Sequence, residues 1–141
     1  IASEVLSRAG EESDMIVGND EEFGFMAGGI KKGLNKAREL ASKGNRLIIY
    51  KMGEEGAIPF YNNEEIRTGI FPTQAVKPNG AGDSFMAGLL SSLASGYSLE
   101  NSVIRGSACA SIVVSLPGCA PAMPDEDQLN EYIINNPIKD V

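Results

Sequence analysis

The chain has 141 residues, 43% hydrophobic and 22% charged, the balance of a globular chain long enough to bury the core of one domain. Its net charge of −7 argues against the clustered Lys and Arg of a nucleic-acid-binding surface. Histidine is absent, which removes Ser-His-Asp and Cys-His nucleophile pairs and most catalytic zinc sites.

In chain order, residues 2–10 carry helical spacing through Val5, Leu6 and Ala9 and are expected to stop at Gly10. Asp14–Gly18 is a short apolar run, predicted as a buried strand. Residues 32–43 repeat the helix pattern and end at Gly44, and Arg46–Tyr50 then predicts a second buried strand. Short alternating stretches around Asn62-Asn63, between 57 and 76, predict a hairpin-like excursion. From Asp83 onward helices dominate. The first presents Phe85, Met86, Leu89, Leu90 and Leu93 on one face and closes at Gly96. The next follows Ser98 as N-cap, and the last follows Pro124 with Leu129, Tyr132 and Ile133 inward. Alternating helices and strands predict an α/β fold with a mostly parallel sheet.

Cys109 and Cys119 form no CxxC, so neither a redox motif nor a zinc knuckle is available, and a reduced cytoplasmic setting is expected. The apolar run at Ile112–Val114 ends at Pro117, too short to span a bilayer, so no membrane partner is expected.

Chemistry concentrates in the glycines. A Walker A loop is missing, and the dinucleotide fingerprint begun by Gly80 and Gly82 meets Phe85 where its third glycine belongs. What remains is Gly80-Ala81-Gly82-Asp83 leading into a helix. Glycines let successive N–H groups turn towards one point, and the helix start adds unpaired donors and a positive dipole end. That is a cradle for an anion, with Asp83 beside it as a base for an attacking hydroxyl. The same residues also fit a tight turn with Asp83 as a helix cap, and both readings stand at this point. Lys51-Met-Gly53-Glu-Glu-Gly56 and Asn19-Asp-Glu-Glu22 each follow a predicted strand, where α/β sheets bind ligands. Each also fits a plain alternative, a glycine turn and an acidic helix start. The three loops together are expected on one sheet edge.

These stretches resemble, in family order, the motifs of the ribokinase-like (phosphofructokinase B type) carbohydrate kinases. VKPNGAGDSFMAGLL is similar to the signature Asp-Thr-x-Gly-Ala-Gly-Asp-x-Phe, Asn19–Glu22 to Asn-x-x-Glu, and Lys51–Gly56 to Thr-x-Gly-x-x-Gly. The tail GSACASIVVSLPGCAPAMP is similar to one member in particular. The resemblance implies Asp83 as catalytic base and the N–H groups of Gly80, Ala81 and Gly82 as the anion hole. It implies Asn19 and Glu22 near the nucleotide phosphates, the glutamate reaching Mg²⁺ through water and no residue ligating a metal directly. Lys51, Gly53 and Gly56 would line ATP, with Ser107 near the adenine. Gly118 lies in a segment that helps ligate a monovalent cation in many members. Lys77 replaces the signature's first Asp, which weighs against that cation: its ammonium either points to solvent or stands in for the ion near Gly118.

Family members are longer, with a sugar-binding half and lid ahead of the matched part. Residues 1–141 are therefore expected to form the C-terminal nucleotide-binding and catalytic part of a sugar kinase domain. The expected activity is phosphoryl transfer from ATP to a sugar or keto-acid sugar, with this chain alone inactive. The alternatives are a kinase of the same fold acting on fructose, 2-keto-3-deoxygluconate or a nucleoside, and a nucleotide-binding or structural fragment without turnover. Uncovered sheet edges and apolar faces would favour self-association into a homo-oligomer.

Overall fold

A computed structural model describes residues Ala2–Asp140 as two compact units that meet in sequence between Arg67 and Thr68.

The first unit runs α1 (Ala2–Glu12), β1 (Met15–Asn19), α2 (Asp20–Met26), α3 (Gly33–Ala41), β2 (Leu47–Lys51), β3 (Ala57–Tyr61) and β4 (Glu64–Glu65). Its strands lie in the order β1-β2-β3-β4. β1 and β2 are parallel, joined by the two helices between them, whereas β2–β3 and β3–β4 are antiparallel. The class is α/β as expected, but within this unit the sheet is mixed rather than mostly parallel. The reason is the length of the connection: only Met52–Gly56 separate β2 from β3, far too few for a crossover. The hairpin at Asn62-Asn63 is present, with both residues at positive φ (51° and 62°), the backbone that a two-residue turn between twisted strands needs.

Phe23, Ala37, Leu40, Ile48, Tyr50, Ile58 and Phe60 form the core of this unit, with the Phe23 and Tyr50 rings 5.5 Å apart. α1 continues past Gly10 to Glu12, contrary to the expected stop. Gly10 is a packing residue: a Cβ there would lie 3.4 Å from Met26 Sδ and 3.5 Å from Ile16 Cδ1.

The second unit has irregular backbone to Asn79, then α4 (Ala81–Ala94), α5 (Leu99–Ser115) and α6 (Glu126–Asn135). The four residues Ser95–Ser98 join α4 to α5, and Ser98 caps α5 by accepting from Asn101 N–H. The two helices approach closely through small residues. A Cβ on Gly88 would fall 2.8 Å from Cys109 Sγ and 3.0 Å from the Arg105 carbonyl oxygen. The buried face of α4 is therefore Ser84, Phe85, Gly88, Leu89 and Ser92. Leu90, expected inward, is 45% exposed. α6 packs through Leu129 against Phe71, Ala108 and Cys109, and the Phe71 and Tyr132 rings lie 5.6 Å apart.

Arg105 is a buried charge with its donors engaged. Its Nε donates to Ser92 Oγ (2.9 Å), Nη1 to Asn130 Oδ1 (2.7 Å) and Nη2 to Glu126 Oε1 (2.5 Å), with the guanidinium 4.5 Å above the Tyr97 ring. One side chain thereby ties α4, α5 and α6 together, and its pairing offsets the cost of burying a cation. Among the described residues no helix is long and apolar enough to cross a membrane.

Candidate active site

In the first unit the sheet brings two of the expected loops together. Asn19 and Lys51 are the last residues of the parallel strands β1 and β2 and are register partners, so both loops leave the same carboxyl edge side by side. The Asn19 loop is a reciprocal capping box. Asn19 Oδ1 accepts from Glu22 N–H at 2.8 Å and Glu22 Oε2 accepts from Asn19 N–H at 2.7 Å. The acidic helix start is thus realised, and it fixes the Glu22 carboxylate at the mouth of the β1–α2 turn. After Lys51 the chain makes a tight return, with Met52 N–H donating to the Gly56 carbonyl at 2.8 Å. Gly53 and Gly56 both take positive φ (57° and 83°), which glycine adopts without penalty.

The third loop lies in the second unit. Gly80–Asp83 opens α4 in the second unit behind irregular backbone, not behind a strand of the described sheet. Gly80 is the N-cap, in the left-handed region at φ 88°, and no side chain caps the helix. α2, α5 and α6 instead begin with Asn19, Ser98 and Asp125, each accepting a first-turn N–H. The first-turn donors of α4 are therefore left without a side-chain partner at the positive end of a 14-residue helix. Asp83 is the third helical residue and exposed, and among the described residues no hydrogen bond or ion pair engages its carboxylate. It does not cap the helix. Ser84 Oγ, which the sequence did not single out, donates to the Gly80 carbonyl at 2.6 Å and braces the turn from inside.

Ser107 is half-buried midway along α5, and Gly118 lies exposed just past its end with φ 81°. Lys77 does not point freely to solvent. Its Nζ donates to the Asn79 carbonyl at 3.1 Å and to Cys119 Sγ, beside Gly118, at 3.3 Å. From the sequence neither Asn79 nor Cys119 was given a role at the site, although each adjoins a residue singled out there.

The model of the pfkB family carbohydrate kinases matches residues 2–126. The chain belongs to the pfkB family of carbohydrate kinases. Among family relatives, the 5-dehydro-2-deoxygluconokinase of Geobacillus thermodenitrificans is 35% identical over 129 residues, covering 89% of this chain and 38% of the relative. The chain thus spans about two fifths of the length of the curated relatives it matches. The ribokinase of Thermotoga maritima shares the fold with a TM-score of 0.82 at 24% identity, over 92% of this chain and 45% of that one. An Arabidopsis thaliana ribokinase, solved in complex with ribose and ATP, gives a TM-score of 0.76 at 27% identity, over 89% of this chain and 42% of that one. The three motifs therefore identified the pfkB family and its fold correctly.

Proposed function

We propose that this chain supplies the nucleotide-binding and catalytic part of an ATP-dependent carbohydrate kinase. The observation that carries the proposal is the start of α4: glycine backbone without a side-chain cap, and an unengaged carboxylate in the first turn. In the proposed reaction a sugar hydroxyl attacks the γ-phosphorus of ATP and passes its proton to the Asp83 carboxylate. The new O–P bond forms as the bond to the β-phosphate oxygen breaks, and ADP leaves with that electron pair. The N–H groups of Gly80, Ala81 and Gly82 stabilise the negative charge on the transferring group. Asn19 and Glu22, with Lys51, Gly53 and Gly56, hold the nucleotide, while Ser107 and Gly118 border it.

Mg²⁺ bound to the nucleotide supplies charge neutralisation at the phosphates. The donor set fits a water-mediated contact: Glu22 is a single carboxylate with one oxygen already in the capping box, and Mg²⁺ keeps several waters. The proposed acceptor is 5-dehydro-2-deoxygluconate, supported by the segment Gly106–Pro124 and by the 35% identical relative of that activity. The test is ADP release by the full-length protein with ATP and Mg²⁺ against 5-dehydro-2-deoxygluconate, fructose, 2-keto-3-deoxygluconate, ribose and adenosine. The first should give the highest kcat/KM. Preference for another acceptor would move the substrate within the family, and no acceptor-dependent release from any would remove the kinase reading.

A further inference from the structure

We propose that Lys77 is a positioning residue that aims the Gly80 N–H, one donor of the α4 anion cradle; the inference rests on the kinase reading above. Three contacts make a closed clasp. Lys77 Nζ donates to the Asn79 carbonyl (3.1 Å) and to Cys119 Sγ (3.3 Å), and Cys119 Sγ lies 3.6 Å from the same carbonyl. The base of the clasp is fixed as well, because the N–H groups of Val76 and Lys77 both donate to the Val114 carbonyl near the end of α5 (2.8 and 3.2 Å). Cys119 is seated directly on the glycine: a Cβ built on Gly80 would be 3.0 Å from its sulfur.

The geometry of the peptide turns this clasp into a functional constraint. The Asn79 C=O and the Gly80 N–H belong to one planar trans unit and point in opposite directions. An ammonium that anchors the carbonyl oxygen therefore fixes where the N–H is aimed. A loop with this task needs outside support. Gly80 sits at φ 88° with no side chain of its own, and glycine has the widest choice of alternative backbone states. Where Asn19, Ser98 and Asp125 hold the starts of their helices from within, the start of α4 is held by a lysine three residues upstream. Lysine suits the task, being a compact cation with three rotatable donors that can serve a carbonyl and a sulfur together.

The test compares Lys77→Met, Lys77→Arg and Asp83→Asn in the full-length protein, with kcat, sugar KM and thermal midpoint read for each. Misaiming one anion-hole donor should lower kcat of Lys77→Met by about tenfold or more. Sugar KM and thermal midpoint should stay near wild type, and Lys77→Arg, which keeps a cationic donor, should recover most of the loss. Wild-type kcat in Lys77→Met alongside a silenced Asp83→Asn would overturn the clasp and leave the cradle standing. Undiminished turnover in Asp83→Asn would remove the cradle reading, and the clasp with it. Equal losses in Lys77→Met and Lys77→Arg, with lowered thermal midpoints in both, would make Lys77 a packing residue and also overturn the proposal.

Discussion

Gly106 on α5 faces the backbone of Phe85 on α4 so closely that a Cβ at 106 would lie 2.8 Å from the Phe85 carbonyl oxygen. That oxygen belongs to a helix backbone and cannot swing aside as a flexible side chain would. Gly106→Ala should therefore push the helices apart and destabilise the fold by about 1–3 kcal/mol, the usual cost of overpacking. Ala has the higher helix propensity, worth about 1 kcal/mol in the opposite direction, so a stabilised variant in urea unfolding would show that the contact is not limiting.

Burial pushes the Cys109 thiol up from its ordinary 9.0 to about 11. A raised thiol pKa favours the neutral form in the folded state, so the contribution is complete below about pH 9. It is lost between about 9 and 11, where the unfolded thiol ionises and the folded one does not. The loss amounts to at most about 2–3 kcal/mol. Tyr50 and Tyr132 are raised by burial too and add alkaline sensitivity of the same sign at higher pH. Urea unfolding between pH 8 and about 10.5 should show a steeper decline for wild type than for Cys109→Ala. Parallel declines would rule out a contribution from this thiol.

Features decided by local chemistry were legible in the sequence. Ser98 caps α5 through a hydroxyl three residues from its N–H partner, and Asn62-Asn63 makes its turn through the positive φ that Asn tolerates. The motifs that carry the family resemblance were legible for the same reason: each is a short contiguous stretch whose glycines and acids lie at a helix or strand boundary. What failed depended on partners distant in sequence. Gly10 resembles a helix stop until Met26 and Ile16 are packed against it. Leu90 turns outward because close approach at Gly88 makes α5 meet the small-residue face of α4. The Lys77–Cys119 contact spans 42 residues, and no periodicity encodes it. The expectation of a mostly parallel sheet failed for another reason: the hairpin-like excursion after 57 was legible, and the five residues after Lys51 exclude a crossover that would make β3 parallel to β2.

Glu22 serves a helix cap in the structure and Mg²⁺ in the proposed function, and one substitution separates the two. Gln also completes a capping box at this position, so Glu22→Gln should leave urea stability within about 0.5 kcal/mol of wild type. It removes the charge that the proposed function turns towards the nucleotide's metal. The expected result is about tenfold weaker apparent Mg²⁺ activation of turnover, with saturating Mg²⁺ restoring most of the rate. An unchanged Mg²⁺ dependence would confine Glu22 to its cap.

The ammonium of Lys77 already holds the Asn79 carbonyl oxygen, the kind of ligand an alkali cation would use, and the sulfur of Cys119 beside Gly118. If this ammonium stands in for the ion, turnover should be indifferent to K⁺ when K⁺ replaces a large organic cation at constant ionic strength. Lys77→Asp reverses the local charge and should introduce a K⁺ requirement, read as a several-fold activation. Several-fold activation of the wild type by K⁺ would show that Lys77 does not stand in for the ion.

Asp83 gives the most direct test of the chemistry. It lies in the first turn of α4, is exposed, and among the described residues no hydrogen bond or ion pair engages its carboxylate. Its removal therefore breaks no cap, and Asp83→Asn keeps the shape of the side chain. Stability should stay within about 0.5 kcal/mol of wild type, as for surface substitutions away from such features. A general base is commonly worth about 10²–10⁴-fold in rate. In the full-length protein, turnover should fall by that factor while ATP binding, measured by calorimetry, stays within about threefold, because the N–H groups of Gly80, Ala81 and Gly82 remain in place. A small loss of turnover with intact stability would take the proton-accepting role away from Asp83. A large loss accompanied by abolished ATP binding would make Asp83 a binding residue instead, since a base acts on the hydroxyl and not on the nucleotide's affinity.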